Sequence, residues 1–472
     1  MTTYQGTHPI EDVASELSHR LRGEVLTPAH ARYDDVRRVW NGAIDRRPAL
    51  IVRCETASDV VEAVRAATAN DLRIAVRGGG HSIPGLSVCD GGMMIDLQPM
   101  KAITVDAEAH VAHVEPGVVW GELDRATQEH GLAVTGGEVS DTGVAGLTLG
   151  GGIGWLKRTI GLSCDNLLAA EVVTADGRIV EASATSNTEL FWALRGGGGN
   201  FGIVTRFTFR LHRVGPILFG GAVVHPGDRA GDVLRFLRDQ SAVAPDEVSL
   251  MVALVTAPPA PEFPEELHGR PIAVLGAAYI GDVAAGEEAL RHVREFGPPA
   301  ADLLGPIPYV ALQQLVDPMT PKGLGYYVKS EWLAGLSDPV IDGLVRQHQS
   351  SSSPLDQILV HQLGGAMRRV PEGGTAFTYR DAPFMLTAAA GWPNPTDPAE
   401  AHRAWARATW ELAQVDSAGG GYVNHLDGDE PAARVREAYD RATLARLVAV
   451  KQAWDPRNVF RLNQNIDPTA RP

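Results

Sequence analysis

Residues 72–82 read Leu-Arg-Ile-Ala-Val-Arg-Gly-Gly-Gly-His-Ser, a β-rich run that empties into three glycines and a histidine. Upstream, Leu50-Ile51-Val52 reads as a short strand, and Thr56-Ala57-Ser58-Asp59 as a helix start of the capping-box kind. Val60, Val61, Val64 and Ala67 then fall on one helical face, with Asn70 placed to end the helix. The pattern is strand, helix, strand, and a glycine loop at the second strand's exit, where α/β units place ligands.

Further along, Ile103 to Val105 and Val111 to Val114 read as paired strands, and Asp176-Gly177 as the turn of a hairpin within Glu171 to Val180. Phe201 to Leu211 is another strand. From about residue 216 the character changes: long apolar strands at Val248 to Thr256, Ile272 to Ile280, Ile358 to Gln362 and Phe384 to Ala390, with a Pro-rich break from Pro258 to Pro264. A helix is expected over Ala432 to Trp454. The fold class implied is α+β in three parts: 1–215, a second unit with a largely antiparallel sheet over 216–410, and a tail, 411–472, that returns to the style of the first.

The chain of 472 residues carries 42 basic and 57 acidic residues, a net charge of −15 that repels phosphate backbones and argues against nucleic-acid binding. Cys54, Cys89 and Cys164 are too few and too scattered for a disulfide framework or zinc site and read as reduced, buried thiols. No signal-like N-terminus or membrane-length apolar run is present, so the expectation is a soluble, cytoplasmic protein. No metal site is expected. Its 51 glycines concentrate between Gly78 and Gly202, and because glycine is costly to order, such runs mark close approach of backbone to something.

Two segments have the composition of a phosphate cradle: Arg77 to Ser82, and Gly143 to Gly154, which reads Gly-Val-Ala-Gly-Leu-Thr-Leu-Gly-Gly-Gly-Ile-Gly. The second lacks the preceding strand and ribose-binding acid of a Rossmann fingerprint and the Lys-Ser/Thr ending of a P-loop, which disfavours NAD and nucleoside triphosphates. On its residues alone, His81 reads as a loop or core histidine. Trp155 and Leu156, a bulky pair after a glycine turn, read as core.

Arg77-Gly-Gly-Gly-His81-Ser82, Gly150-Gly-Gly-Ile-Gly154-Trp155-Leu156, Gly161 and Asp165-Asn166 resemble the vanillyl-alcohol-oxidase superfamily with its PCMH-type FAD-binding domain. Tyr422-Val423-Asn424, Trp454-Asp455-Pro456-Arg457-Asn458-Val459-Phe460 and Asn463-Gln464-Asn465-Ile466 extend the likeness to its berberine-bridge-enzyme-like group, which includes bacterial 6-hydroxynicotine oxidases and antibiotic-pathway oxidases. The resemblance covers essentially the whole chain.

It implies FAD, bonded to His81 through the 8α-methyl of the isoalloxazine. Val139 stands where some members place a cysteine, so a single covalent link is expected. By motif position, cofactor contacts fall to Arg77, Gly78, Gly79, Gly80, Ser82, Ser140, Thr142, Gly143, Gly146, Gly150, Gly152, Gly154, Asn166, Gly202, Val204, Tyr422, Asn424 and Asn463. Thr142 and Leu147 would flank the flavin where oxygen reacts. Tyr422 is the candidate catalytic base, and since phenol has a pKa of about 10 it needs a neighbour such as Lys329 to stabilise phenolate. Thr387 occupies the position of the plant enzymes' catalytic glutamate, which removes support for their ring-closing chemistry. Gln362 and His361 alternate on one strand, so one lines the pocket, and Gln362 is carried as the catalytic candidate. Arg380 and Asp381 read as a loop salt bridge. The expected activity is an oxidase taking hydride from a small alcohol, phenol or secondary metabolite and passing electrons to O2. Amine oxidation of the 6-hydroxynicotine type, polyketide tailoring by a flavin oxygenase, and a flavoprotein that only binds ligand are the rivals. The Ala-, Arg- and Gly-rich usage is that of a high-GC bacterium.

Overall fold

The computed structural model describes residues 9–351, 353–430 and 432–470. Leu50–Arg53 and Ile74–Arg77 both run parallel to Met93–Asp96, which lies between them, and Glu24–Leu26 completes a four-stranded sheet. The helix Ala57–Ala69 joins the first two strands. Its start is a true capping box: Thr56 Oγ1 accepts the Asp59 N–H at 3.2 Å and the Asp59 carboxylate accepts the Thr56 N–H at 3.1 Å. Val60, Val61, Val64 and Ala67 are buried against Leu50, Val52 and Ile74, as the helical spacing requires.

A second sheet of five strands follows, in the order Ile103–Asp106, Val111–Val114, Ile203–Arg210, Leu167–Val173, Ile179–Ser183, every pair antiparallel. The two expected hairpins are both in it.

Between residues 217 and 392 an eight-stranded antiparallel sheet forms. Its order is Ala301–Asp302, Ile217–Pro226, Pro271–Tyr279, Val248–Thr256, Gln357–Gln362, Phe384–Trp392, Gly325–Leu333, with Gly305–Pro308 also paired to Ile217–Pro226. Two long strands here, Ile217–Pro226 and Gly325–Leu333, went unread in the sequence. The apolar run of the first is interrupted by Gly220-Gly221, and the second carries Lys329, Ser330 and Glu331 in its middle. One face packs on the helices Ala230–Ser241, Asp338–Gln349 and Glu400–Ala413. Leu250, Val252 and Leu254 enter that core together with Leu234, Ile341 and Trp405. Full burial of each such side chain contributes about 1.5–3 kcal/mol. The other face looks back at the first half of the chain.

The expected single helix over Ala432 to Trp454 is in fact two, Ala432–Glu437 and Arg441–Trp454. Asp440 causes the break, because its carboxylate accepts the Thr443 N–H and caps a new helix. Trp155 and Leu156 are buried among Leu218, Met251 and Ala278, tying the glycine segment to the large sheet. The three cysteines are buried and free. Among the described residues no helix is long and apolar enough to cross a membrane, and no cluster of metal-ligand type occurs.

Candidate active site

A cavity of about 410 Å³ lies between the glycine segments, the large sheet and the C-terminal tail. One wall is backbone and small residues: Gly78, Gly79, Gly80 and His81 from the strand exit, Thr142, Gly143, Gly146 and Leu147 from the second glycine segment, and Gly199, Gly202 and Val204. The opposite wall is the free face of the large sheet. The tail closes the end through Tyr422, Asn424, His425, Asn463 and Gln464.

The glycine wall is a close-packed seam. A Cβ on Gly79 would lie 2.5 Å from Cα and N of Gly143, so the two loops touch only because neither has a side chain. Gly146 and Gly199 have nothing within 4 Å of a built Cβ, so a side chain there would intrude on open space. A long groove lined by backbone on one side and an apolar sheet on the other fits a flat dinucleotide of the FAD kind. Buried polar atoms along it, Asn463 Oδ1, Thr387 Oγ1 and Glu138 Oε1, have no hydrogen-bond partner within the protein. Such atoms are expected to meet a ligand or solvent.

Gly78, Gly79, Gly80, His81, Ser82, Thr142, Gly143, Gly146, Gly202, Val204, Tyr422, Asn424 and Asn463 all line this cavity. Several other residues singled out in the sequence do not. Arg77 turns away to grip the buried Asp96 carboxylate at 2.9 and 2.6 Å. Ser140 is tied to Asp317, through its N–H at 2.8 Å and its hydroxyl at 2.5 Å. Asn166 braces a turn, donating to the carbonyls of Ile160 and Leu162. Gly150, Gly152 and Gly154 act one layer back. A Cβ on Gly150 would sit 2.0 Å from Asn424 Oδ1 and one on Gly154 would sit 1.7 Å from the Gly136 carbonyl, so these glycines admit neighbours rather than line the cleft.

The two catalytic candidates on the large sheet are corrected by strand alternation. Met251 pairs with His361, and Met385 lies beside it. Met251, His361 and Met385 face the cavity together with the residues two positions away on the same strands, Ala253, Leu359 and Thr387. Gln362 therefore points to the helix side, where its Oε1 accepts the Leu250 N–H at 2.9 Å. Lys329 likewise lies on the helix side, paired with Glu430 at 2.5 Å and 5.1 Å from the Trp410 ring centroid, and so does not reach Tyr422. Arg380 does not pair with Asp381. It forms a buried two-point contact with Asp165 at 2.7 and 3.0 Å.

Tyr422 is buried, and its hydroxyl oxygen accepts N–H donors from Gly152 at 3.0 Å and Asn424 at 2.8 Å. Burial pushes the phenol up to about 12, and the two donors only partly offset it. His425 packs edge-on against it at 4.9 Å, and burial, with the nearby His361, pushes its imidazole down to about 4.

The sequence reading missed Glu138. Its carboxylate meets His361 Nε2 at 2.9 Å across 223 residues of sequence. Burial raises the carboxyl, but His361, by charge and hydrogen bond, and then Lys157 outweigh it and hold Glu138 below the usual glutamate value. The pair interrupts a largely apolar stretch of wall made by Met251, Leu359 and Met385, with His425 close by.

Fold and cleft together define an enzyme of the flavin dinucleotide class. Residues 48–183 match an FAD binding domain, and residues 421–467 match the family described as berberine and berberine like. An FAD-linked oxidoreductase of Dictyostelium discoideum is 32% identical over 461 residues, 97% of each chain. The (R)-6-hydroxynicotine oxidase of Paenarthrobacter nicotinovorans is 31% identical over 95% of this chain and 97% of its own. The crystal structure of 6-hydroxy-D-nicotine oxidase from Arthrobacter nicotinovorans superposes with a TM-score of 0.85 at 28% identity, covering 95% of this chain and 98% of that one. The chain belongs to the berberine-like family of FAD-linked oxidoreductases.

Proposed function

We propose that the protein is an oxidase whose FAD is bonded once, through His81. It takes hydride from a C–H of a small alcohol, phenol or secondary metabolite, and O2 is the final electron acceptor. The observation that carries this is the place of His81. It lies in the cavity wall directly after Gly78–Gly80, while Val139 lines the same cavity where a second, cysteinyl bond would need a thiol. When bound, FAD supplies the two-electron acceptor for the hydride and hands the electrons on to oxygen.

The protein's part is placement and proton handling. Gly78, Gly79, Gly143 and Gly146 bring backbone up to the cofactor, and Asn463 offers Oδ1 beside it. The apolar sheet wall excludes water and presses the substrate toward the glycine wall. Three polar groups meet the substrate's hydroxyl from the sheet and tail: Thr387, the Glu138–His361 pair, and Tyr422. Glu138 holds the imidazole as an acceptor and stabilises it once protonated, the role a carboxylate plays behind a histidine base. Tyr422, neutral at ordinary pH, carries a proton that the Gly152 and Asn424 donors are placed to let go.

A second reading, oxidation of an amine, is favoured by Glu138, since a carboxylate kept ionised in an apolar cleft attracts an ammonium group. Both readings are tested by mixing the purified, deoxygenated enzyme with a panel of primary and benzylic alcohols, phenols and secondary amines and following flavin absorbance. Bleaching that reverses in air, with peroxide formed, supports the oxidase reading and its substrate column decides between hydroxyl and amine. A panel that leaves the absorbance unchanged would sink both.

A further inference from the structure

His81 is held on two sides. Its ring stacks on Trp40, centroids 4.2 Å apart and planes at 23°. Trp40 in turn stacks on Tyr326 at 4.0 Å and 18°, with its indole N–H on the Thr320 carbonyl at 3.3 Å. At the ring's edge, Nε2 meets Oδ1 of Asp141 at 3.0 Å. An ionised carboxylate only accepts hydrogen bonds, so Nε2 is the nitrogen that carries the proton and Nδ1 keeps its lone pair.

Asp141 is presented by a pinned loop. Ser140, just before it, is bonded twice to Asp317, and Thr142, just after it, accepts the Trp120 N–H at 3.0 Å and donates its own N–H to Val139 at 3.1 Å. About half of the Asp141 side chain is exposed, so it is not there to fill a core. Stack and carboxylate together fix both the plane and the tautomer of the imidazole.

We infer that Asp141 is the positioning residue for attachment of the flavin, making Nδ1 of His81 the atom that bonds. The inference rests on the reading of His81 as the attachment point. The new bond joins Nδ1 to the 8α-carbon of FAD. One C–H bond of that methyl breaks, its proton leaves and its electron pair passes into the ring system. The imidazole loses its N–H proton at Nε2, where Asp141 stabilises the positive charge that develops. O2 takes up the two electrons and two protons as hydrogen peroxide, so one oxidant is consumed per bond formed.

The test compares full-length wild type with D141A, D141N, D141E and H81A, each expressed alike and supplied with FAD. Total FAD is measured in the native protein, and bonded FAD by its fluorescence in a denaturing gel and by the mass of the peptide holding residue 81. Wild type is expected to retain its FAD on Nδ1 of His81, and H81A to release it all. D141A should bind FAD and attach it about tenfold to a hundredfold more slowly, the effect of losing one charge-assisted hydrogen bond. D141N should fall between, and D141E should recover part of the rate. Equal attachment rates in wild type and D141A would overturn the inference while leaving His81 in place. D141A protein that binds no FAD would also overturn it, by assigning Asp141 to holding the cofactor. Wild type that gives up all its FAD on denaturation would remove the reading of His81 and this inference with it.

Discussion

The Tyr422 hydroxyl is shared between two segments, taking one donor from Gly152 and another from Asn424. Tyr422→Phe leaves both N–H groups buried without an acceptor, at a cost of about 1–3 kcal/mol each, and the expected outcome is lower stability together with slower flavin bleaching by substrate. Because the phenol is pushed up to about 12, its ionisation should leave no break in the rate between about pH 6 and 9, which a pH–rate profile checks. Glu138 carries a pH dependence of the opposite hand. Its folded value lies below the ordinary one of 4.5, so its stabilisation is complete above that pH and is lost as pH falls through the folded value. Acid titration of unfolding should therefore show a steeper loss in wild type than in Glu138→Gln. Neither residue's role was fully legible in the sequence. Tyr422 stood out by its motif, but the partner of Glu138 is 223 residues away, and no local spacing announces such a pair.

Among the elements, the strand–helix–strand unit ending at Gly78 was readable because each signal in it is local: a capping box, an apolar helical stripe and a glycine run. Faces of the large sheet were not. Alternation shows that His361 and Gln362 oppose each other, but which face meets the helices depends on the register with Met251 and Met385, a property of three strands at once. Lys329 was misplaced for the same reason. The Trp454-Asp455-Pro456 turn has a structural duty that its motif conceals. Lys451 Nζ, buried, donates to Asp455 at 2.7 Å and to the carbonyls of Asn200 and Phe460, while the Asp455 carboxylate accepts the N–H groups of Val459 and Phe460. That knot aims Phe460 and Asn463 at the cavity. Asp455→Ala would strand the buried ammonium and is expected to cost about 3–5 kcal/mol in denaturant unfolding. Gly79→Ala should instead spare most of the stability of the large sheet's core and abolish FAD retention, since a methyl group there meets Gly143 at 2.5 Å, which absorbance of the purified protein would report.

For the molecule as a whole, residues 421–467 supply one end of the cavity from the far end of the chain. A chain cut after residue 420 is expected to hold no FAD and, with Lys329 and Glu331 stripped of their partners Glu430 and Arg434, to unfold at lower denaturant, checked by circular dichroism beside the flavin spectrum. The two halves of the cleft are joined at several points. Asp165 grips Arg380, and Ser140 binds Asp317. Arg158 reaches the carbonyls of Val248, Leu363 and Ala244 at 2.8, 2.5 and 3.0 Å. With so many rivets the jaws keep one spacing, while Met251, Met319 and Met385 give the sheet side a lining of unbranched thioethers that swing among many rotamers at small cost. Guests of different outline would thus be accommodated by upholstery rather than by hinge: crystals soaked with unlike ligands should superpose in backbone and differ in their methionine torsions.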